Sequence, residues 1–237
     1  VRGLLISDIH ANPWALRAVE AAAGPVDFML CAGDWVNYGP DPAAAVVWAL
    51  ERRVKSVLGN HDHAVACGSD PRAASAKLPL ALAMRDWSRR QLTDRLANYL
   101  IGLPRVRTAR FGGAAFEVLH ATPIDPLYDY CLTPKVSDAE FRRIVDGVDV
   151  DVLVVGHTHL PFVRRRESLC VVNPGSVGQP LDGDPRASYA VWHDGAIELH
   201  RVEYDQRPVL DAIEQLPCLA NGQCRTLQET LVRARTR

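Results

Sequence analysis

Five short apolar runs recur along this chain of 237 residues, and stretches with helical signals separate them. They are residues 3–7, 26–31, 54–58, 114–119 and 151–155, several rich in valine and bounded by glycine or polar residues. Runs this short and this continuous predict strands buried on both faces. Strands alternating with helices predict an α/β architecture. Asn12-Pro13 and Asp41-Pro42 each pair an N-cap with proline at the first helical position, so each opens a helix. In the second, Val46, Val47 and Leu50 are the expected buried stripe. Residues 70–101 predict two or three helical turns, interrupted at Pro79 and restarted near Thr93. Gly112-Gly113 predicts a hairpin turn, and Ser137 to Glu140 form a capping box for a short helix.

Beyond Asn173 the pattern becomes extended. Residues 188–193 and 196–203 flank a turn at Asp194-Gly195 and predict a hairpin completing a sheet. A closing helix is expected over 207–216, and Thr226 to Glu229 cap one more. No repeat, low-complexity segment or long linker marks a boundary. The expectation is one domain over 1–217, followed by a tail over 218–237 that carries a short helix.

Composition narrows the function classes. Hydrophobic residues make up 48% and charged residues 23%, ordinary values for a soluble globular protein. The formal net charge of −1 argues against general nucleic-acid or membrane-surface binding, which calls for a basic excess. No run approaches the roughly 20 apolar residues that span a bilayer. Gly3 to Ile6 follows a single arginine and is too short for a signal-peptide core, so the expected location is the cytoplasm. The six cysteines include no C-x-x-C pair, and free thiols are expected.

Each of the five runs ends within a residue or two of a side chain able to hold a metal. The first leads to Asp8 and His10, the second to Gly33-Asp34, the third to Gly59-Asn60-His61-Asp62. The fourth leads to His120 and the fifth to Gly156-His157-Thr158-His159. In open α/β sheets ligands sit beyond the carboxyl ends of the strands, so all five clusters are expected on one rim. Five of the eight histidines fall in these clusters, whereas His193 and His200 read as ordinary strand residues and His63 as a bystander. The i, i+2 spacing of Asp8 with His10, and of His157 with His159, points each pair one way on an extended segment. A mixture of imidazole and carboxylate suits manganese, iron, zinc or nickel better than magnesium or calcium. Two such ions would serve phosphate-ester hydrolysis, with no serine or cysteine nucleophile required.

The ordered set D-x-H, G-D-x-x-N, G-N-H-D, a lone histidine and G-H-T-H resembles the calcineurin-like metallophosphoesterases. Asn173-Pro-Gly-Ser-Val-Gly178 resembles the small bacterial and archaeal phosphodiesterase branch. The resemblance runs from residue 3 to about 203. It implies a two-sheet αββα sandwich with two divalent transition-metal ions, manganese foremost, at its top edge. Asp8, His10, Asp34 and His159 would hold one ion, and Asp34, Asn60, His120 and His157 the other. A bridging hydroxide would attack phosphorus, His61 would protonate the leaving oxygen or stabilise its charge, and Asp62 would orient His61. The implied substrate is a small or nucleotide-like phosphodiester, with monoesters second.

Departures from the family pattern refine this. Ala11 replaces a common glycine. Gly33-Asp34-Trp35-Val36-Asn37-Tyr38-Gly39 lacks the phosphate-binding arginine of the Ser/Thr protein phosphatases and dinucleoside tetraphosphatases, which argues against both activities. Leu181 stands where small phosphodiesterases often carry arginine. Phosphate grip is then expected from Asn37, Arg186 or the metals alone. Tyr128 and Tyr130, in the loop after His120, read either as a lid stacking a substrate ring or as surface packing. Arg164 to Arg166 read as an edge-strand charge run ahead of a substrate clamp. The retromer scaffold subunit resembles the same superfamily yet binds proteins, so a non-catalytic scaffold is the rival function. That scaffold lacks the histidine matching His61. The oligomeric state is left open by the sequence.

Overall fold

The structure is a computed structural model that describes residues 1–73 and 77–235. Residues 74–76, within the predicted helical stretch 70–101, and the last two residues of the tail lie outside the described residues.

Two five-stranded sheets form the centre. In the first, β1 (Arg2–Ile6), β2 (Phe28–Cys31) and β3 (Lys55–Ser56) run parallel, with Leu4 opposite Met29 and Ile6 opposite Cys31. The second contains β4 (Val106–Phe111), β5 (Ala114–Leu119), β6 (Val152–Val154), β7 (Phe162–Arg166) and β8 (Leu169–Asn173). The hairpin of β9 (Ala187–His193) and β10 (Ala196–Val202) joins the first sheet, giving the order β10-β9-β1-β2-β3. The second sheet is ordered β4-β5-β6-β8-β7, with β5, β6 and β8 parallel.

Strand alternation builds three apolar layers. Leu5, Leu30, Phe116, Val118, Val152, Val154 and Val172 meet between the sheets with Phe28 and Trp192. Phe28 stacks on Phe111 at 3.8 Å between ring centres, and it lies where a side chain at Gly3 would stand. The opposite faces of the same strands point outward. Leu4, Ile6 and Cys31 pack against α1 (Pro13–Ala23), α2 (Pro42–Glu51) and α5 (Asp94–Ile101). Leu119, Leu153, Val155 and Val171 pack against α6 (Asp138–Ile144). Helix, sheet, sheet and helix are thus stacked in the expected αββα sandwich. Fully burying each such side chain contributes roughly 1.5–3 kcal/mol before chain entropy is charged against it.

Local signals place most elements. Asn12 and Asp41 cap α1 and α2 by accepting from the amides of Ala15 and Ala44. Ser137 and Thr93 do the same for α6 and α5. Several expectations are corrected. The 54–58 run yields only two strand residues, because Gly59 caps α3 (Asn60–Cys67) immediately beyond it. Val47 is 39% exposed, and Ala45, Val46, Trp48 and Ala49 form the buried face of α2. Pro79 sits in the first turn of α4 (Leu78–Gln91), where its missing N–H breaks no bond, so it opens that helix. The final helix, α8 (Asn221–Arg233), starts five residues before Thr226, which lies inside it with its hydroxyl on the Gly222 carbonyl.

Residues 218–235 pack into the same body. Leu227 and Leu231 of α8 are buried with Val209 and Ile213 of α7 (Arg207–Glu214), Met84 of α4 and Tyr38. All six cysteines are free thiols, Cys31 and Cys170 buried. Among the described residues no helix is long and apolar enough to cross a membrane.

Candidate metal centre

The parallel strands deliver their carboxyl ends to one rim, and the five sequence clusters meet there. Asp8 follows β1, Asp34 follows β2, His120 follows β5 and His157 follows β6, while Asn60 is the first residue of α3. All seven ligand candidates are buried.

The backbone reaches this arrangement by a route the spacing did not predict. Asp8, His10, Asp34, His157 and His159 all adopt left-handed conformations, with φ between 46° and 66°. The i, i+2 pairs therefore converge through tight turns and not through extended segments. Left-handed backbone costs on the order of 1–2 kcal/mol per residue, less for Asp and His than for most. Inter-loop hydrogen bonds offset that strain. The amides of Asp8, His10 and Ala11 donate to the carbonyls of Gly33, Asp34 and Trp35. Ser176 Oγ and the Gly178 amide both donate to the Asp8 carbonyl, and Asn173 Nδ2 donates to the Gly156 carbonyl. The Asn173–Gly178 motif thus clamps the two ligand loops together. Glycine is required at Gly59 and Gly156, where a Cβ would collide with Asp34 Oδ1 and Ser7 Oγ respectively.

The donors form two groups. In one, His159 Nε2 lies 3.4 Å from Asp8 Oδ1 and 3.1 Å from His10 Nε2. In the other, His120 Nε2 lies 3.3 Å from Asp34 Oδ2, 3.1 Å from His157 Nδ1 and 2.9 Å from Asn60 Oδ1. Asp34 Oδ2 also stands 3.8 Å from His10 Nε2, so this carboxylate faces both groups.

The surrounding bonds suit cations. His10, His120 and His159 place Nδ1 at the carbonyls of Val36, Ala32 and Gln179, which leaves each Nε2 turned inward as a lone pair. Asn60 donates its amide N–H to the Pro71 carbonyl, which turns its oxygen toward His120. Asp8 Oδ2 accepts from Ser7 and from the His157 amide, whereas its Oδ1 is buried with no hydrogen-bond partner. A buried carboxylate oxygen left so costs several kcal/mol unless a cation meets it.

Without cations the groups polarise one another. Burial raises the Asp8 carboxyl against the pull of His159 and His120. Burial alone would also raise Asp34, but His120, His61 and His10 outweigh it and hold Asp34 well below the usual carboxylate range. Burial pulls His120 down, yet the Asp34 carboxylate pushes it up to about 9. Burial and a neighbouring imidazole lower His10 and His157 strongly, and burial lowers His159. Neutral imidazole is the form that binds metal. Donor type, inward lone pairs and the orphaned Asp8 oxygen all fit two divalent transition-metal ions.

Residues 2–194 match the model of the calcineurin-like phosphoesterase superfamily domain. The chain belongs to the calcineurin-like phosphoesterase superfamily. An uncharacterized protein of Methanocaldococcus jannaschii is 32% identical over 229 residues, 88% of this chain and 90% of its own. The crystal structure of a metallophosphoesterase from Sphaerobacter thermophilus superposes with a TM-score of 0.81 at 30% identity, covering 99% of this chain and 100% of its own. Phosphodiesterase YfcE of Escherichia coli shares 54% identity over 41 residues, 17% of this chain and 22% of that protein.

In this calcineurin-like phosphoesterase the remaining candidates separate clearly. His61 lies in the first turn of α3 beside the Asp34 carboxylate, its ring 5.3 Å from that of His10, and it lines a cavity of about 380 Å³ that opens onto both donor groups. Asp62 does not orient His61. Its carboxylate accepts from the amides of Asp34, Trp35, Val36 and Gly59, so it fixes the loop that presents Asp34. Asn37 is fully buried and its amide is spent on His61, Ala81 and Tyr38, which leaves nothing for phosphate. Arg186 forks Asp184 at the surface and does not line the cavity. Tyr130 does line it, its ring 3.7 Å from that of His157, whereas Tyr128 stands back beneath Arg72. Arg164 and Arg166 pair with Asp138 and Asp146, away from the site. Tyr38 and Leu181, at the two positions where the family pattern often has arginine, also line the cavity, and so do Arg72 and Lys77, which no motif foretold.

Proposed function

We propose that this chain is a binuclear metal-dependent hydrolase that cleaves phosphodiester bonds of small or nucleotide-like substrates. The observation that carries the reading is Asp34, whose one carboxylate oxygen faces His10 of the first donor group and His120 of the second. A shared carboxylate is what two closely spaced ions require. Asp8, His10, His159 and Asp34 would hold one ion, and Asp34, Asn60, His120 and His157 the other. Bound there, the pair would supply Lewis-acid polarisation of the phosphoryl group and a water-derived nucleophile near neutral pH. Manganese is the leading candidate, with iron, zinc or nickel also suited to imidazole and carboxylate donors.

His61 has the position of a general acid. It lies beside Asp34 on the wall of the cavity, with one ring nitrogen tied to Asn37 and the other left for the leaving oxygen. Tyr38, Tyr130 and Leu181 give that cavity apolar walls for the organic part of the ester. Similarity to phosphodiesterase YfcE over a short stretch supports diesters over monoesters. The test loads purified protein with Mn, Fe, Zn or Ni and offers bis(p-nitrophenyl) phosphate, p-nitrophenyl phosphate, cyclic nucleotides and dinucleotides. Metal-dependent turnover is expected, faster on diesters. Protein that carries two equivalents of metal and turns over none of them would point to the non-catalytic scaffold.

A further inference from the structure

Two cations share the cavity with the donor groups, and no known phosphate-binding motif accounts for them. Arg72 approaches from the loop after α3, and Lys77 is the residue that caps α4. The Arg72 guanidinium lies over the Tyr128 ring at 4.1 Å, which fixes its plane while leaving its N–H groups free. Among the described residues neither side chain forms an ion pair or hydrogen bond, although Lys77 is half-buried and its charge reaches His61 and His159. Among the described residues Asp34 is the sole carboxylate lining the cavity. It faces both donor groups and is spoken for. A half-buried Lys77 without a counter-charge is costly to keep, and the exposed Arg72 lines the same cavity, so an anion is expected there.

The charge balance says which anion. Two divalent ions less the carboxylates Asp8 and Asp34 leave a doubly positive centre, which a phosphodiester with its nucleophile already neutralises. Arg72 and Lys77 are surplus to that reaction. Arginine offers a planar fork and lysine a mobile point charge, a pair suited to a phosphate group. Given the phosphodiesterase reading on which this rests, we infer that Arg72 and Lys77 form a second-phosphate subsite, so that the preferred substrate is a phosphodiester whose organic part carries a further phosphate.

The test uses two chromogenic diesters that differ by one group, p-nitrophenyl thymidine 5′-phosphate and its 3′-phosphorylated counterpart. Mn-loaded wild type should favour the second in kcat/KM by about tenfold or more, the scale of one charge-assisted contact. Arg72→Ala and Lys77→Ala should each shrink that preference, the double variant should abolish it, and Lys77→Arg should retain part of it. Calorimetry supplies a readout without turnover. Thymidine 3′,5′-bisphosphate should bind wild type about tenfold more tightly than thymidine 5′-monophosphate, and the double variant should bind the two alike. A wild type with no preference in either assay overturns the subsite. So do equal losses on both diesters in the variants, which would place the cations on the reacting phosphate. Wild type inactive on both diesters, yet still preferring the bisphosphate through Arg72 and Lys77, retires the phosphodiesterase reading and keeps the subsite.

Discussion

Asn37 Nδ2 lies 2.7 Å from Nδ1 of His61, and this contact fixes the protonation of the imidazole. The amide cannot be turned round, because its nitrogen also donates to the Ala81 carbonyl at 3.3 Å and its oxygen accepts from the Tyr38 amide at 2.8 Å. His61 Nδ1 is therefore an acceptor, and the ring proton of the neutral form sits on Nε2. Burial lowers the His61 pKa, which favours that neutral form. A neutral imidazole carrying its proton on the far nitrogen can donate a hydrogen bond that stabilises the charge on an oxygen leaving through the cavity.

Replacing His61 with Asn should leave metal content and fold intact and lower kcat by about 10²–10⁴-fold with alkoxide leaving groups, and far less with p-nitrophenolate. Asn37→Ala should reproduce the same leaving-group dependence in weaker form, about tenfold, because the ring loses its tautomer lock but keeps its place. Leaving-group series on both variants check this. Full activity of His61→Asn on alkoxide esters would remove the residue from the mechanism.

Metal content tests the shared carboxylate. Wild type loaded with Mn should hold close to two equivalents by elemental analysis. His10→Ala removes a donor from one group and should lose about one, whereas Asp34→Asn should lose most of both. Equal losses of a single ion in the two variants would mean that Asp34 serves one group alone.

The ligands were legible because the sequence concentrates them where a parallel sheet must expose its strand ends. Asp8, Asp34, His120 and His157 needed only the strand assignment and the rule that ligands sit beyond carboxyl ends. Their side-chain directions were not legible. Those depend on left-handed turns at Asp8 and His10, which Asp and His tolerate but do not announce. The partner of His61 was misread for a related reason. Asp62 adjoins it in sequence, but on α3 the Asp62 carboxylate turns back onto the amides of the Asp34 loop. Asn37, distant in sequence, arrives through a loop whose register against α4 no local signal encodes. Arg72 and Lys77 were passed over because cations in loops look alike until a cavity separates them from the rest of the surface.

Asp62 gives a stability prediction. Its carboxylate takes four backbone amides in a buried setting, and Ala there would leave all four donors unsatisfied. Leaving such groups unpaired costs about 1–3 kcal/mol each, partly relieved by water. Asp62→Ala should therefore lose at least about 3 kcal/mol in urea unfolding, and Asp62→Asn an intermediate amount. A loss below about 1 kcal/mol, with the change confined to kcat, would return Asp62 to a direct role beside His61.

The last prediction concerns the loop after His120, where the two tyrosines part company. Tyr130 lies against the His157 ring and is 51% exposed, so one face of its ring is open to the cavity. Tyr128 is beneath Arg72, and its hydroxyl lies 3.4 Å from His63 Nδ1. Stacking of a base on an aromatic side chain contributes about 1–3 kcal/mol. Tyr130→Ala should raise KM for nucleotide diesters by roughly fivefold or more on that scale, and should change KM for methyl p-nitrophenyl phosphate much less. Tyr130→Phe should behave as wild type, since the ring and not the hydroxyl makes the contact. Tyr128→Ala should act through Arg72 instead, which loses the surface that orients it. Its effect should follow the second phosphate of the substrate and not the base. Steady-state kinetics of the three variants on matched substrates separates these outcomes. A uniform rise in KM across all substrates for Tyr130→Ala would make the ring a brace for His157 and not a platform for the substrate.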